Sequence, residues 1–280
     1  MDLKKLGHRV LVALFGIPII VFLVLKGGWA FVLLVLIINL LSQHEFYKLT
    51  ELKQMLPLKI LGLIGTILLT ISVYKFGADQ PWIIIALVMA IFYAVLLVEL
   101  FRNNGSATLN ISATAWGIFY PGFFFSFHIL LRELPNSLNL PYNMGGKWII
   151  FMLVTIWICD TAAYFVGSTL GRHKLYQRVS PHKTVEGAIA GFVFALLTAY
   201  VFHLIYIKDL SLTHCLIIGA IVGVMSQIGD LVESVFKRDA GVKDTSGILP
   251  GHGGFLDRFD APLFVAPLMY FYLRFFVFAN

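Results

Sequence analysis

From Pro81 to Phe101 the chain reads PWIIIALVMAIFYAVLLVELF, with Glu99 its single charged side chain. A helix advances about 1.5 Å per residue, so a run of this length crosses a hydrocarbon core of ~30 Å. Similar runs recur along the whole chain. In lipid their backbone polar groups can be satisfied only within helices or a closed barrel, and the short alternating segments of a barrel are missing from the sequence. The pattern therefore predicts an all-α polytopic membrane protein. About nine transmembrane helices are expected, over residues 10–25, 28–46, 58–76, 81–101, 111–131, 147–169, 187–207, 212–236 and 261–279. Composition agrees: 59% of residues are hydrophobic and 13% charged, against about 45–50% and ~25% in soluble domains.

The opening MDLKK flank and first apolar run resemble a secretory signal, but a second run follows with no small-residue cleavage site, so the first span is read as retained. The end of the second run, NLLSQHEFYKL, is also compatible with an interfacial helix. Cys159 and Cys215 both fall inside apolar runs and offer neither a disulfide framework nor a CxxC zinc pattern. With the N-terminus placed in the cytoplasm, 15 of the 21 Lys and Arg residues fall on the inner side, as the positive-inside rule favours. The richest inner loops are 170–186 and 237–260. We expect a multi-pass protein of the inner, cytoplasmic membrane with its charged loops facing the cytoplasm. The net charge of +6 suits a neighbour of anionic lipid. No basic, aromatic-interleaved soluble segment is present, so nucleic acid is not an expected partner. We divide the chain into an N-terminal transmembrane region, 1–110, and a C-terminal transmembrane catalytic region, 111–280.

Ionisable residues inside spans are costly, face the protein interior and mark function. Asp160 sits mid-span in WICDTAAYFVGSTLG, with Tyr164 and Gly167 on the same helical face. It either pairs with a base to fix packing or lines a polar cavity. In MSQIGDLVESVFKR, residues Gln227, Asp230, Glu233, Ser234 and Lys237 fall within about 120° of one another on a helix. Such a stripe cannot face acyl chains, so it lines a cavity or a polar seam. The loop that follows contains GHGGFLDRFD, where Gly251, Gly253 and Gly254 flank His252 and allow backbone N–H groups to approach an anion. The loop GRHKLYQRVSPHKTVEG carries Arg172, Lys174, Arg178, His182 and Lys183, which suit either a positive-inside loop or a phosphate site.

Carboxylates without clustered Cys or His suit Mg²⁺, and neighbouring Lys and Arg suit a polyphosphate. No Walker A sequence is present. The residues alone thus point to a metal-assisted reaction of a nucleoside triphosphate with a membrane-embedded substrate, which needs mainly positioning and charge neutralisation.

The stretch from Ser234 to Asp260 resembles the signature of phosphatidate cytidylyltransferases, the CDP-diacylglycerol synthases. It supplies Ser234, Phe236, Lys237-Arg238, Lys243-Asp244, Ser246, Leu249, Pro250, His252-Gly253-Gly254, Phe255, Asp257-Arg258, Phe259 and Asp260 over 27 residues. SPHKTVEG and CDTAAYFVG are similar to two further elements of that family. The resemblance implies that CTP and phosphatidate give CDP-diacylglycerol and pyrophosphate. It also implies Mg²⁺ on Asp230 and Asp257, K⁺ as a second metal, a homodimer, and membrane lipids as surroundings.

On this reading Lys237, Arg238, Lys243 and Arg258 neutralise phosphates. His252 either contacts phosphate or shapes its loop, and Asp260 completes the metal shell or orients an arginine. Ser180, Lys183, Glu186, Ser234, Gly253, Gly254 and Asp160 surround substrate or nucleotide. Phosphatidate, whose second pKa is ~6, is already ionised and needs no dedicated general base. Alternatives are a CTP-dependent lipid kinase, an ether-lipid cytidylyltransferase and, in a different class, a cation- or proton-coupled transporter. Asp230→Asn and Asp257→Asn are each expected to lower pyrophosphate release by orders of magnitude while the protein still inserts. Lys53→Ala, in an inner loop expected to lie far from these motifs, should stay near wild type in the same assay.

Overall fold

The computed structural model describes residues 3–77, 79–248 and 253–279, with backbone alone for 3–13. Its helices are α1 (Leu3–Lys26), α2 (Gly28–Leu52), α3 (Lys59–Phe76), α4 (Pro81–Arg102), α5 (Ala107–Gly117), α6 (Phe124–Ser137), α7 (Asn143–Leu170), α8 (Val185–Ile205), α9 (Leu212–Asp239) and α10 (Leu256–Tyr272). A π-helical turn, Ile118–Phe123, joins α5 to α6, and another, Leu273–Val277, extends α10. Counting α5–α6 as one unit, eight segments are long and apolar enough to cross a membrane, and Leu14–Lys26 of α1 adds a shorter apolar helix among the described residues. The chain is therefore a polytopic helical membrane protein, with a helix for each of the nine expected spans.

The helix ends differ from expectation where polar residues are buried. α2 runs unbroken to Leu52, so NLLSQHEFYKL is no separate interfacial helix; Asn39, Ser42, Gln43, Glu45 and Tyr47 are buried within it. Tyr47 fills the space left by two glycines of neighbouring helices, because a Cβ on Gly62 or Gly117 would overlap its ring. Its hydroxyl donates to the Thr114 carbonyl at 3.1 Å and accepts from Gln43 Nε2 at 2.9 Å. Pro121 lies in the π turn and has no N–H to give to the helical ladder, which widens there. The Gly122 carbonyl is taken up by Asn39 Nδ2 at 3.0 Å and by the Ser126 hydroxyl at 3.1 Å.

Small residues bring α7, α8, α9 and α10 together, the usual solution where lipid removes the hydrophobic drive for helix association. A Cβ on Gly187 would press on the Ala163 carbonyl, one on Gly191 on Cys159, and one on Gly223 on Phe192 and Ala195. Gly229 of α9 faces the backbone of Asp260 and Ala261, and a Cβ there would lie 2.6 Å from the Asp260 carbonyl oxygen.

The charged loop 170–186 is more ordered than its turn-rich sequence suggests. Lys174–Tyr176 (β1) and Ser180–Thr184 (β2) form an antiparallel hairpin, with Lys174 opposite Thr184 and Tyr176 opposite Ser180. Arg238 Nε donates to the Val179 carbonyl at 3.2 Å, tying the hairpin to the end of α9. The α2–α3 connection reaches the same end of the bundle, where Lys53 pairs with Asp239 at 3.1 Å. Lys53 is thus remote from the motifs in sequence and adjacent to them in space. Both partners are well exposed, a setting in which ion pairs contribute ~0–1 kcal/mol, so a small effect of its removal is still expected. At the opposite end, buried Arg132 donates to the Val24 and Leu25 carbonyls of α1 at 2.7 and 3.0 Å.

Gly229→Val should force α9 and α10 apart. Overpacking of this kind costs about 1–3 kcal/mol, which should appear as a lower thermal midpoint in detergent, together with loss of activity.

Candidate active site

The polar stripe of α9 meets the start of α10 at the Gly229 contact. One oxygen from each of Asp230, Glu233 and Asp260 lies within 4.8 Å of the others. Glu233 and Asp260 are buried, whereas the Asp230 side chain is 43% exposed and forms the open edge of the group. Most of the stripe is therefore a buried seam: Glu233, Ser234 and Lys237 are buried, and Asp230 lies at its exposed edge. Glu233 was legible as part of that stripe but had no assigned role.

Lys237 lies between two acids. Its ammonium pairs with Glu233 Oε2 at 2.5 Å and with Asp257 Oδ1 at 2.7 Å. Asp257 Oδ2 accepts from the Gly254 N–H at 2.7 Å and the Thr245 N–H at 2.9 Å, with the Thr245 hydroxyl at 2.8 Å. The carboxylates grouped with Asp230 are thus Glu233 and Asp260. Asp257, expected beside Asp230 as a metal ligand, holds Lys237 and the glycine loop with its two oxygens. Gly253 has φ +83°, in the region that glycine tolerates best, which turns the Gly254 N–H toward Asp257.

Lys183 of β2 reaches Asp230 Oδ2 at 2.6 Å, and Ser234 donates to Asp230 Oδ1 at 3.3 Å. The hairpin motif, far away in sequence, thereby joins the same group. Asp160 is exposed on α7 and is not one of the grouped acids. Ser180 is half-buried in β2. Glu186 turns away from the acids: it accepts from the Arg172 N–H at 3.1 Å, the His173 N–H at 3.2 Å and His173 Nδ1 at 2.6 Å, bracing the hairpin. Thr184 caps α8 through the Gly187 N–H at 3.2 Å. Arg238 also donates to the Val242 carbonyl at 3.0 Å. Lys243, Asp244 and Arg258 are exposed around the rim. His252 lies outside the described residues.

Three residues near the site carry no motif. Glu45 of α2 accepts hydrogen bonds from Ser246, Phe255 and Leu256, and its carboxylate also lies beside the Thr245 hydroxyl. Thr245 lies between Glu45 and Asp257. Tyr120 of the π turn packs against Phe236, and its buried hydroxyl has no hydrogen-bond partner among the described residues. The one sequence signal for Glu45 is a carboxylate at the polar end of an apolar run, beside Ser42, Gln43 and His44.

The donor set fits a hard divalent cation: it offers carboxylate oxygens, with neither thiol nor imidazole among the three grouped residues. Lys237→Met should leave Glu233 and Asp257 facing each other without their shared cation. Breaking a buried pair costs about 3–5 kcal/mol, so the thermal midpoint in metal-free detergent should fall clearly below that of wild type.

The model of the cytidylyltransferase family matches residues 7–276. A phosphatidate cytidylyltransferase of Bacillus subtilis (strain 168) is 36% identical, covering 99% of each chain. One from Staphylococcus epidermidis (strain RP62A) is 32% identical over 93% of this chain and 96% of its own. One from Staphylococcus aureus (strain COL) is 30% identical with the same coverage. The family match takes in nearly every helix from α1 to α10, the region holding the acidic group and its lysines. The chain belongs to the cytidylyltransferase family.

Proposed function

We propose that this protein transfers CMP from CTP to phosphatidate, forming CDP-diacylglycerol and pyrophosphate. The observation that carries this reading is the convergence of Asp230, Glu233 and Asp260 with Lys183 and Lys237 on the wall of a membrane-embedded bundle. An ionised phosphate oxygen of the lipid attacks the α-phosphorus of CTP. The bond from that phosphorus to the β-phosphate bridging oxygen breaks, and pyrophosphate leaves with the electron pair.

No basic side chain is required to remove a proton from an already ionised nucleophile. The obstacle is repulsion between two anions. Lys183, Arg258 and Lys243 place positive charge at the rim, where phosphates arrive from water. Lys237 is committed to Glu233 and Asp257, so its principal role is to keep those acids together. Asp230 and Asp260, with Glu233, would hold Mg²⁺; Asp257 joins them only by releasing Lys237. Mg²⁺ there would supply Lewis-acid charge neutralisation on the α-phosphate. K⁺ as a companion cation suits the remaining carboxylate oxygens. Gly253 and Gly254 keep the loop close, and His252 adjoins them in sequence. Ser180 and Glu186 act through the hairpin that presents Lys183.

The excess of Lys and Arg at this end supports an inner-membrane protein with its N-terminus and active site facing the cytoplasm, where CTP is available. A homodimer would bury part of the apolar surface that otherwise meets lipid. Purified protein given CTP, phosphatidate and Mg²⁺ is expected to release pyrophosphate and form CDP-diacylglycerol, with chelator abolishing both. Release of CDP would instead mark a lipid kinase, preference for an ether-linked acceptor would move the substrate assignment, and no reaction would favour transport.

A further inference from the structure

Glu45 lies in the N-terminal region, in none of the motifs, and is fully buried. Both of its oxygens are turned to a loop about 200 residues later in the chain. Oε1 accepts from the Ser246 hydroxyl at 2.5 Å and the Phe255 N–H at 3.0 Å. Oε2 accepts from the Leu256 N–H at 2.8 Å and lies 3.1 Å from the Thr245 hydroxyl. Phe255 and Leu256 begin α10, the helix that carries Asp257, Arg258 and Asp260. Their N–H groups are among the four that a helix start leaves without internal partners, and an anion there is favoured by the helix dipole. Thr245 stands between Glu45 Oε2 and Asp257 Oδ2, with one proton to donate to either. A Cβ on Gly254 would overlap the Thr245 hydroxyl and both Glu45 oxygens. The second glycine of the His-Gly-Gly element is therefore required by a residue of α2.

We propose that Glu45 is a positioning residue: it latches Thr245 and Ser246 to Phe255 and Leu256 at the start of α10, so that Asp257 and Asp260 face α9 in the geometry the reaction needs. The activity part of this proposal rests on the cytidylyltransferase reading; the latch itself does not. Charge and double acceptance are both essential to it. Each carboxylate oxygen takes one backbone N–H, so an amide of the same shape must turn its NH₂ toward one of them. A buried donor facing a donor loses its bond and its solvation together. Glu45→Gln is thus nearly isosteric and still disruptive. Gly254→Ala reaches the same contact from the other side by displacing the carboxylate.

The test uses full-length protein in detergent. Hydrogen exchange across residues 253–257 reads the latch, Mn²⁺ binding by electron paramagnetic resonance reads the acidic group without substrate, and the Mg²⁺ dependence of pyrophosphate release reads positioning. For Glu45→Gln we expect exchange and the Mn²⁺ dissociation constant each to rise at least tenfold. The Mg²⁺ concentration for half-maximal activity should rise similarly, whereas a purely structural defect would lower active fraction without shifting that midpoint. Gly254→Ala should reproduce these changes, and should add little in a background carrying both Glu45→Ala and Thr245→Ala, where the three atoms its methyl group would overlap are gone. Unchanged exchange in Glu45→Gln would overturn the latch. Faster exchange with wild-type metal binding and Mg²⁺ dependence would overturn the positioning role. If Glu45→Gln does not fold, Gly254→Ala is judged by the same three measurements. A wild type that releases no pyrophosphate overturns the proposed function, and exchange and Mn²⁺ binding still decide the latch.

Discussion

An ammonium group held between two carboxylates organises this protein's interior. Lys237 meets Glu233 on its own helix and Asp257 on the next, and all three side chains are largely withdrawn from solvent. An isolated charge in such surroundings costs several kcal/mol, so each of the three depends on the others being in place. Because Asp257 also gathers the Gly254 and Thr245 amides, the same pairing that joins α9 to α10 sets the path of the glycine loop. The remaining acids, Asp230 and Asp260, then outnumber the ammonium groups that reach them.

That charge arrangement is possible only because the helices approach so closely. Gly229 lets the α9 backbone lie against the α10 backbone beside Asp260, one residue from Asp230. Gly187, Gly191 and Gly223 do the same between α7, α8 and α9. In lipid, close contact among small residues replaces the hydrophobic drive available in water. The packing that stabilises the bundle thus also brings carboxylates from separate helices within reach of one cation. The hairpin supplies Lys183 from outside the bundle, and Glu186 keeps it folded by holding the His173 backbone and ring.

Much of this was readable from residue order. The polar stripe on α9 follows from helical spacing, and burial of part of it follows from the cost of exposing it to lipid. The fold class followed from run length, and the family resemblance from the stretch Ser234 to Asp260. The partition of roles between Asp257 and Asp260 was less legible. The two lie three residues apart, and the resemblance put the metal on Asp257 with Asp260 completing its shell or orienting an arginine; the neighbours of each show that Asp257 faces Lys237 and the loop amides while Asp260 lies with Asp230 and Glu233. Glu45 was less legible still. Within its own run it reads as one polar residue near a helix end, and the partners that explain it are about 200 residues away.

The sequence by itself determined that the chain is a bundle of membrane-crossing helices with charges gathered near two of its loops, because hydrophobic run length and helical period are local properties. Only the tertiary structure decided which acids are grouped, that Lys237 is committed to Glu233 and Asp257, and that α2 reaches into the signature loop through Glu45. Those outcomes depend on which faces of different helices meet, and that is set by the close fit of glycines against backbone at a few crossings rather than by any single stretch of residues.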